Sequence, residues 1–423
     1  MLRFAPSPTG DMHIGDLRVA VFNYIVSKQK NENLIVRIED MNKEQNIDAK
    51  DKEILDILGL FGIEYTQVVY QSENIRFHTA MALQLMHEKK AFSCFCSDEW
   101  LDKKQKEAKK AKKLYKYDDA CKNLPHELVI DNTNPFTIRI KKAEETLVIK
   151  DHIQGEIVFE SKDMDSFVIM NQDKSPMYDF ACAVDDMLSD ISIIIRSEKH
   201  INNTPKQALV RTSLSYSKKI EYAHIPTILD EDNFSIKWLL EEGFLPEAIL
   251  NYLISIGNKP PKEIFTLEEA TEWFKLEKVS KKSIKFDIEI LKHINNEYLN
   301  NLDAKELSRY VGFADDEIGK LARVYLNEVN TTKELKLKIS NIFVSKNIPN
   351  KLLSSSKIII EIIKNAPYFE EYDEFKKYII KKSELEDEIF SKTFRYVLTG
   401  AENGPDIAMI YKYLKNYIGE IIK

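Results

Sequence analysis

The sequence predicts an α/β fold joined to an all-α region: a parallel sheet with covering helices, an inserted α+β module, and a helical tail. Three observations lead there. The first third alternates β-branched runs with stretches of helical periodicity, which is the βαβ rhythm of a parallel sheet. Residues 91–174 are richer in strand-like runs and lysines. From about Phe234 onward the pattern is almost wholly helical.

Taken in order, Leu2–Ala5 reads as a short strand, Asp16–Lys28 as an amphipathic helix and Leu34–Ile38 as a β-branched strand. Lys50–Leu60 and Arg76–Lys89 carry helical spacing, with Val68–Tyr70 as a strand between them. In the insertion, Phe136–Ile140, Glu156–Glu160 and Phe167–Met170 are strand-like. The sheet pattern resumes with Ile191–Arg196 as a strand and Pro205–Leu214 as a helix.

At 423 residues and about 150 per domain, two to four domains are expected. The composition, 43% hydrophobic and 30% charged, is that of a globular chain and excludes collagen-like, mucin-like and wholly disordered classes. No apolar run approaches the roughly 18 residues a membrane span needs. The opening MLRFAPSPTG has no apolar export signal, and four cysteines are too few for a disulfide scaffold, so a reducing cytoplasm is expected. A net charge of −7 argues against a uniformly basic nucleic-acid binder but not against a local basic face. Eight lysines between Leu101 and Lys116 form one such cluster, which fits either a solvated helix face or a phosphate contact. The dinucleotide fingerprint and the P-loop are both missing, so any nucleotide is held by another route.

The most specific segment runs from Arg3 to Asp16, RFAPSPTGDMHIGD. Pro6 and Pro8 cannot continue a ladder, so the strand stops and turns there. Gly15 permits close backbone approach and Asp16 can cap the following helix. His13 thus sits beside a helix N-terminus, where unpaired N–H groups and the dipole favour an anion, and can donate to phosphate oxygens.

This segment resembles the HIGH signature of class I aminoacyl-tRNA synthetases, in the form typical of glutamyl-tRNA synthetases. Further resemblances span nearly the whole chain: Arg37-Ile38-Glu39-Asp40 to the family's R-[IL]-E-D, and Tyr178, Arg196 and His200 to its active-site strands and R-G-x-D-H segment. Gly243–Ala248 (GFLPEA) and Leu398-Thr399-Gly400 match its later helix and turn.

The resemblance implies a Rossmann-like catalytic domain in two halves, residues 1–90 and 175–233. Between them it implies an acceptor-stem-binding module at 91–174, and beyond them a helical stem-contact domain at 234–305 and an anticodon-binding domain at 306–423. It implies a glutamate–tRNA ligase that uses ATP with Mg²⁺, makes glutamyl-adenylate and glutamylates the 3′ end of tRNA-Glu, tRNA-Gln or both. A monomer is what the resemblance leads one to expect. In this reading His13 and Gly15 are catalytic; Arg3, Ala5, Ser7, Glu39, Tyr178 and Arg196 line the glutamate pocket, with Glu39 facing the ammonium; and His13, Gly15, Asp16 and His200 bind ATP.

Cys94-x-Cys96, then 24 residues, then Cys121 fits either zinc ligation or buried core cysteine on spacing alone. The resemblance favours a structural zinc held by Cys94, Cys96, Tyr117 and Cys121, and makes the lysine cluster an acceptor-stem contact.

Several positions depart from the family pattern. Ser197 and Lys199 replace the glycine and the acid of R-G-x-D-H, Asp179 replaces the asparagine of T-Y-N, and Met41-Asn42 follow the R-I-E-D segment. The second family signature, a K-[ML]-S-K-[RS] loop, has no counterpart between Leu229 and Gly243. Lys237 falls on the helix that follows and is not assigned the loop lysine's role. The sequence runs on there, so a deletion is expected rather than a break between Asp230 and Ser235. These departures motivate the alternative of a catalytically weakened paralogue acting as a tRNA-binding or regulatory protein.

Overall fold

The computed structural model describes residues 1–113, 115–229 and 234–422. They form two compact units. One comprises Met1–Ile236, Leu253–Pro261 and Leu267–Phe286; the other comprises Lys237–Tyr252, Lys262–Thr266 and the residues from Asp287 onward. Asp230–Asn233, on which the expectations about the missing loop and a chain break fall, lie outside the described residues.

The first unit opens with β1 (Leu2–Phe4), α1 (Ile14–Lys30), β2 (Leu34–Ile38), α2 (Lys50–Leu60), β3 (Gln67–Tyr70) and α3 (Ile75–His87). β2 pairs in parallel with β1 and β3, Leu34 opposite Leu2 and Val36 opposite Val68. All five β2 residues are buried, as expected of a parallel strand covered on both faces. The insertion supplies β4 (Ala91–Cys94), α4 (Asp98–Lys110), α5 (His126–Ile130), β5 (Thr137–Ile140), β6 (Leu147–Asp151), β7 (Gly155–Phe159) and β8 (Val168–Met170). β4, β5 and β8 make an antiparallel sheet. Then follow α6 (Tyr178–Leu188), β9 (Ile193–Ser197), α7 (Thr204–Ser213), β10 (Glu221–Ile225), β11 (Ile228–Leu229) and β12 (Ile284–Lys285).

Three features differ from the expected organisation. The hairpin β6–β7 does not stay within the insertion: β6 pairs with β10, giving a sheet ordered β7-β6-β10-β9. Tyr178 opens helix α6 rather than lying on a strand, because Phe180, Ala183 and Val184 turn helically into a core with Leu85, Ile140 and Ile169. The stretch 234–305 is divided between the two units. Part of it is tied to the first by Arg18, whose buried guanidinium donates to the carbonyls of Leu253 and Ile256, and by the β11–β12 pair.

β9 lies beside β1, and the backbones are joined at one end by Ser192 N–H to Met1 O, 2.9 Å. Farther along, Ile195 O accepts instead from the side chains of Arg3 (3.5 Å) and Asn23 (3.1 Å). Such a junction between two sheet halves, at the carboxyl ends of the strands, is where open α/β sheets bind ligands. In the second unit, side-chain caps from Asp287, Asp303, Asp315, Thr331 and Asp406 each start a helix. Gly400 ends Asp387–Thr399 at φ 71°, and a Cβ there would stand 2.7 Å from Asn341 O, which only glycine avoids.

Candidate active site

The proline loop after β1 is pinned by two backbone bonds, Glu39 N–H to Pro6 O and Ile47 N–H to Pro8 O, both 2.9 Å. It delivers His13 to the start of α1. His13, not Asp16, is the N-cap: its Nδ1 accepts from Gly15 N–H at 3.0 Å, and Asp16 Oδ2 accepts from His13 N–H at 3.2 Å. This is a capping box with an imidazole in the hydroxyl's place. Because Nδ1 is the acceptor, the ring proton sits on Nε2, and the histidine is a donor on that side. A Cβ at Gly15 would stand 3.3 Å from Nδ1, so a side chain there crowds the cap. Ile236 N–H donates to Met12 O at 2.9 Å and Ser235 bridges His13, so the chain after Asn233 runs antiparallel to the signature loop.

A cavity of about 130 Å³ lies over this helix start, lined by His13, Gly15, Asp16, Ser197, Lys199 and His200 among others. Burial, then the neighbouring Arg196 and Arg3, drives His200 down to about 4, so it is a neutral imidazole at pH 7. Burial raises Asp16 above the ordinary carboxylate value.

Asp16 and His200 also line an adjoining cavity of about 330 Å³, into which Arg3, Ala5, Ser7, Glu39, Tyr178 and Arg196 all project. Behind its wall, Arg3 and Arg37 share one buried carboxylate, that of Asp186. Arg3 Nε donates to Asp186 Oδ1 at 3.1 Å, and Arg37 NH1 donates to the same oxygen at 2.7 Å. Although burial opposes it, Arg3 and Arg37 hold Asp186 well below the usual carboxylate range, so it is an anion. Arg37 also donates to Glu39 Oε1 at 3.3 Å, and Cys182 Sγ lies 3.3 Å from that oxygen. Burial raises the Glu39 carboxyl, against the pull of Arg37. Arg196 is bound through Nε to His224, through NH1 to Gln207 Oε1 (2.8 Å) and through NH2 to Thr204 Oγ1 (2.7 Å).

In the inserted module, the sulfurs of Cys94, Cys96 and Cys121 all lie within 4.8 Å of one another, Cys96 and Cys121 at 3.6 Å. Tyr117 Oη is 3.4 Å from Cys94 Sγ and 3.5 Å from Cys96 Sγ. Although burial opposes it, hydrogen bonds from Tyr117, the Cys96 backbone and Arg139 draw the Cys94 thiol down to about 7. Five of the eight clustered lysines, Lys103, Lys104, Lys106, Lys109 and Lys110, lie on α4, which has no buried residue.

The description "tRNA synthetases class I (E and Q), catalytic domain" matches residues 1–293. This chain belongs to that family. It is 64% identical to "Glutamate–tRNA ligase 2" of Sulfurimonas denitrificans and 48% identical to "Glutamate–tRNA ligase 1" of Nitratiruptor sp., each alignment covering both chains in full. Both alignments run over 432 positions, nine more than this chain has residues. In fold it is similar to a glutamate tRNA ligase from Elizabethkingia meningosepticum solved in complex with its amino acid. That match has a TM-score of 0.83 at 22% identity, covering 100% of this chain and 98% of the other. Among the described residues no helix is long and apolar enough to cross a membrane.

For a member of the class I tRNA synthetases, sequence reasoning missed the groups that hold the two arginines. Asp186 lies in FACAVDDML, where two acids interrupt an apolar helix, and His224 lies in the buried strand EYAHI. A charged or imidazole side chain inside an apolar run was the available signal in each. Of the R-I-E-D residues, Arg37 is fully buried and braces Asp186 and Glu39. Asp40 accepts from Ser72 N–H and Oγ–H at 2.9 and 2.6 Å. Asp179 pairs with Lys206 at 3.3 Å. Lys199 is exposed, on the rim of the smaller cavity, and Lys237 lies on helix Ile236–Glu241.

Proposed function

We propose that this chain is a glutamate–tRNA ligase that activates glutamate with ATP and Mg²⁺ and transfers it to the 3′ end of tRNA in the cytoplasm, acting as a monomer. The observation that carries the reading is the charge pattern of the larger cavity. Of the charged residues lining it, Arg37 is spent on Asp186 and Glu39, Asp16 on the start of α1 and Asp11 on Lys50. Arg3, Arg196 and Glu39 remain, two guanidiniums and one carboxylate to meet glutamate's two carboxylates and one ammonium. The names of the full-length relatives support the same activity.

Each guanidinium offers a planar fork to a carboxylate. Glutamine would turn amide hydrogens toward one of them, leaving donors facing donors. Glu39 meets the ammonium, and Ala5 and Ser7 give the loop wall its low relief. The substrate α-carboxylate attacks the α-phosphate of ATP, a C–O–P bond forms and pyrophosphate leaves with the P–O bond electrons. Negative charge crowds on the phosphoryl oxygens as this happens. His13 Nε2–H and the positive end of the α1 dipole stabilise it without being consumed. When bound with ATP, Mg²⁺ would supply charge neutralisation at the triphosphate. The ribose hydroxyl of the tRNA terminus then attacks the acyl carbon, and AMP departs.

The thiol cluster suits a structural zinc. Zinc–sulfur bonds near 2.3 Å in a tetrahedron set sulfurs about 3.8 Å apart. Cys96 and Cys121 stand near that spacing, and the Tyr117 phenol is placed to be the fourth ligand. Arg139, 3.3 Å from Cys94 Sγ, supplies the compensating charge that thiolate ligands need. The lysines of α4 would meet acceptor-stem phosphates.

The test is ATP–pyrophosphate exchange with tRNA present, on the full chain. Exchange that depends on glutamate and not on glutamine is the expected result. Exchange with neither amino acid, alongside intact tRNA binding, would replace the ligase by a tRNA-binding protein.

A further inference from the structure

We propose that His224 and Asp151 form a positioning pair that locks Arg196 for glutamate, a role that rests on Arg196 being a glutamate ligand. The three side chains come from separate strands. Asp151 ends β6 of the insertion's hairpin, His224 lies on β10 and Arg196 on β9, side by side in the order β6-β10-β9. All three are buried, 5%, 1% and 7% exposed respectively.

Asp151 is saturated with donors. Its Oδ1 accepts from the backbone N–H of Ile153 (2.9 Å) and Gln154 (2.8 Å), and its Oδ2 from His224 N–H (3.0 Å). Oδ2 also lies 2.7 Å from His224 Nδ1. Although burial opposes it, these bonds keep the Asp151 carboxyl below its ordinary value. An anion at that distance fixes the proton of His224 on Nδ1, so Nε2 is a bare acceptor. Nε2 faces Arg196 Nε at 3.2 Å and the Thr204 hydroxyl at 3.2 Å. Arginine can only donate, so the opposite tautomer would set N–H against N–H.

Of Arg196's five N–H groups, His224, Gln207 and Thr204 engage three, leaving one on each terminal nitrogen. With all three nitrogens of the planar guanidinium held, those two are left for the cavity that Arg196 lines. A lone Nε–H with no acceptor would free the guanidinium to swing about its stem. The hairpin of the inserted segment thereby sets the specificity of the amino-acid pocket without touching the substrate.

The experiment is equilibrium titration of the full-length chain with L-glutamate and, separately, with ATP. Arg196→Lys is the control for the underlying reading: unchanged glutamate affinity there would remove Arg196 from the pocket. With that control weakened as expected, His224→Leu and Asp151→Asn should each raise the glutamate Kd about tenfold or more and move the ATP Kd by less than about twofold. His224→Gln, whose carbonyl reaches where Nε2 sits, should recover most of the affinity. In the background of Arg196→Lys, His224→Leu should add nothing further. Unchanged glutamate affinity in Asp151→Asn, equal losses for glutamate and ATP, or full additivity with Arg196→Lys would each overturn the pair while leaving the pocket reading intact. Should His224→Leu not fold, Asp151→Asn and His224→Gln decide the question by themselves.

Discussion

Arg3 Nε is bound to the buried anion Asp186 and NH1 to Ile195 O, which fixes the guanidinium and leaves NH2 for the cavity that Arg3 lines. Deleting such a charge-assisted contact to a carboxylate costs about 2 kcal/mol or more, roughly 30-fold in affinity. Arg3→Ala is therefore expected to raise the glutamate requirement at least that far while changing the ATP requirement little. Substrate titrations of the exchange reaction read this, and equal rises for both substrates would take Arg3 out of the pocket. His200 gives a pH signature. Folded, it releases its proton at about 4; unfolded, at the ordinary histidine value near 6.5. Between those values the unfolded chain binds more protons, so stability falls as pH drops through the window, by at most about 1.4 kcal/mol per unit for one proton. His200→Gln removes that contribution. Melting temperatures at pH 7.5 and pH 4.5 should differ less in the variant than in the parent.

At the scale of elements, the chain between β4 and β5 has little core of its own. Its buried cluster is Phe92, Cys94 and Tyr117, with Cys96, Trp100, Leu101 and Cys121 packed against it. A tetrahedral metal there would substitute for hydrophobic area, because binding energy to preformed thiolates becomes folding energy. The purified chain is expected to carry about one zinc, and Cys121→Ser to lose most of it, since the neutral hydroxyl is a poor ligand. Elemental analysis measures both. Metal content equal in parent and variant would return the cysteines to the role of ordinary core residues. Loss of zinc should loosen this module while leaving glutamate affinity near its parental value, because none of the ligands lines the larger cavity.

Across the whole molecule, the second family signature has no counterpart in the sequence, and full-length alignments to two relatives exceed the chain by nine positions. A cation placed at departing pyrophosphate is worth a few kcal/mol, or roughly 10²–10³ in rate. Adenylate formation by this chain is accordingly expected to run slower by about that factor than in a relative carrying the loop, with tRNA binding retained. Pre-steady-state adenylate formation and tRNA filter binding, measured side by side, check the two halves. Equal adenylate rates would show that another cation serves, and Lys199, on the rim beside His13, is the first to replace.

Local chemistry was enough to read the α/β rhythm and the proline-broken loop with His13 at a helix start; spacing alone left the three cysteines open between zinc and core. The first two rest on neighbours within a few residues: β-branched runs make β2, Pro6 and Pro8 stop a ladder, and a cap precedes a helix. Helix α6 was misread at Tyr178 because the resemblance suggested a strand, whereas its fate was set by what Phe180 and Val184 pack against. The short strands β4, β6 and β10 carry mixed polar residues and gain their identity from partners distant in sequence. The same holds for the groups that aim the arginines. Asp186 meets Arg3 across 183 positions, and Asp151 meets His224 across 73. A sequence displays which residues can donate or accept, but a buried charge chooses its partner only when the sheet brings the strands together and water is excluded. Tertiary structure therefore decided how the cavity's charges are held, because desolvation acts on spatial neighbours and not on neighbours along the chain.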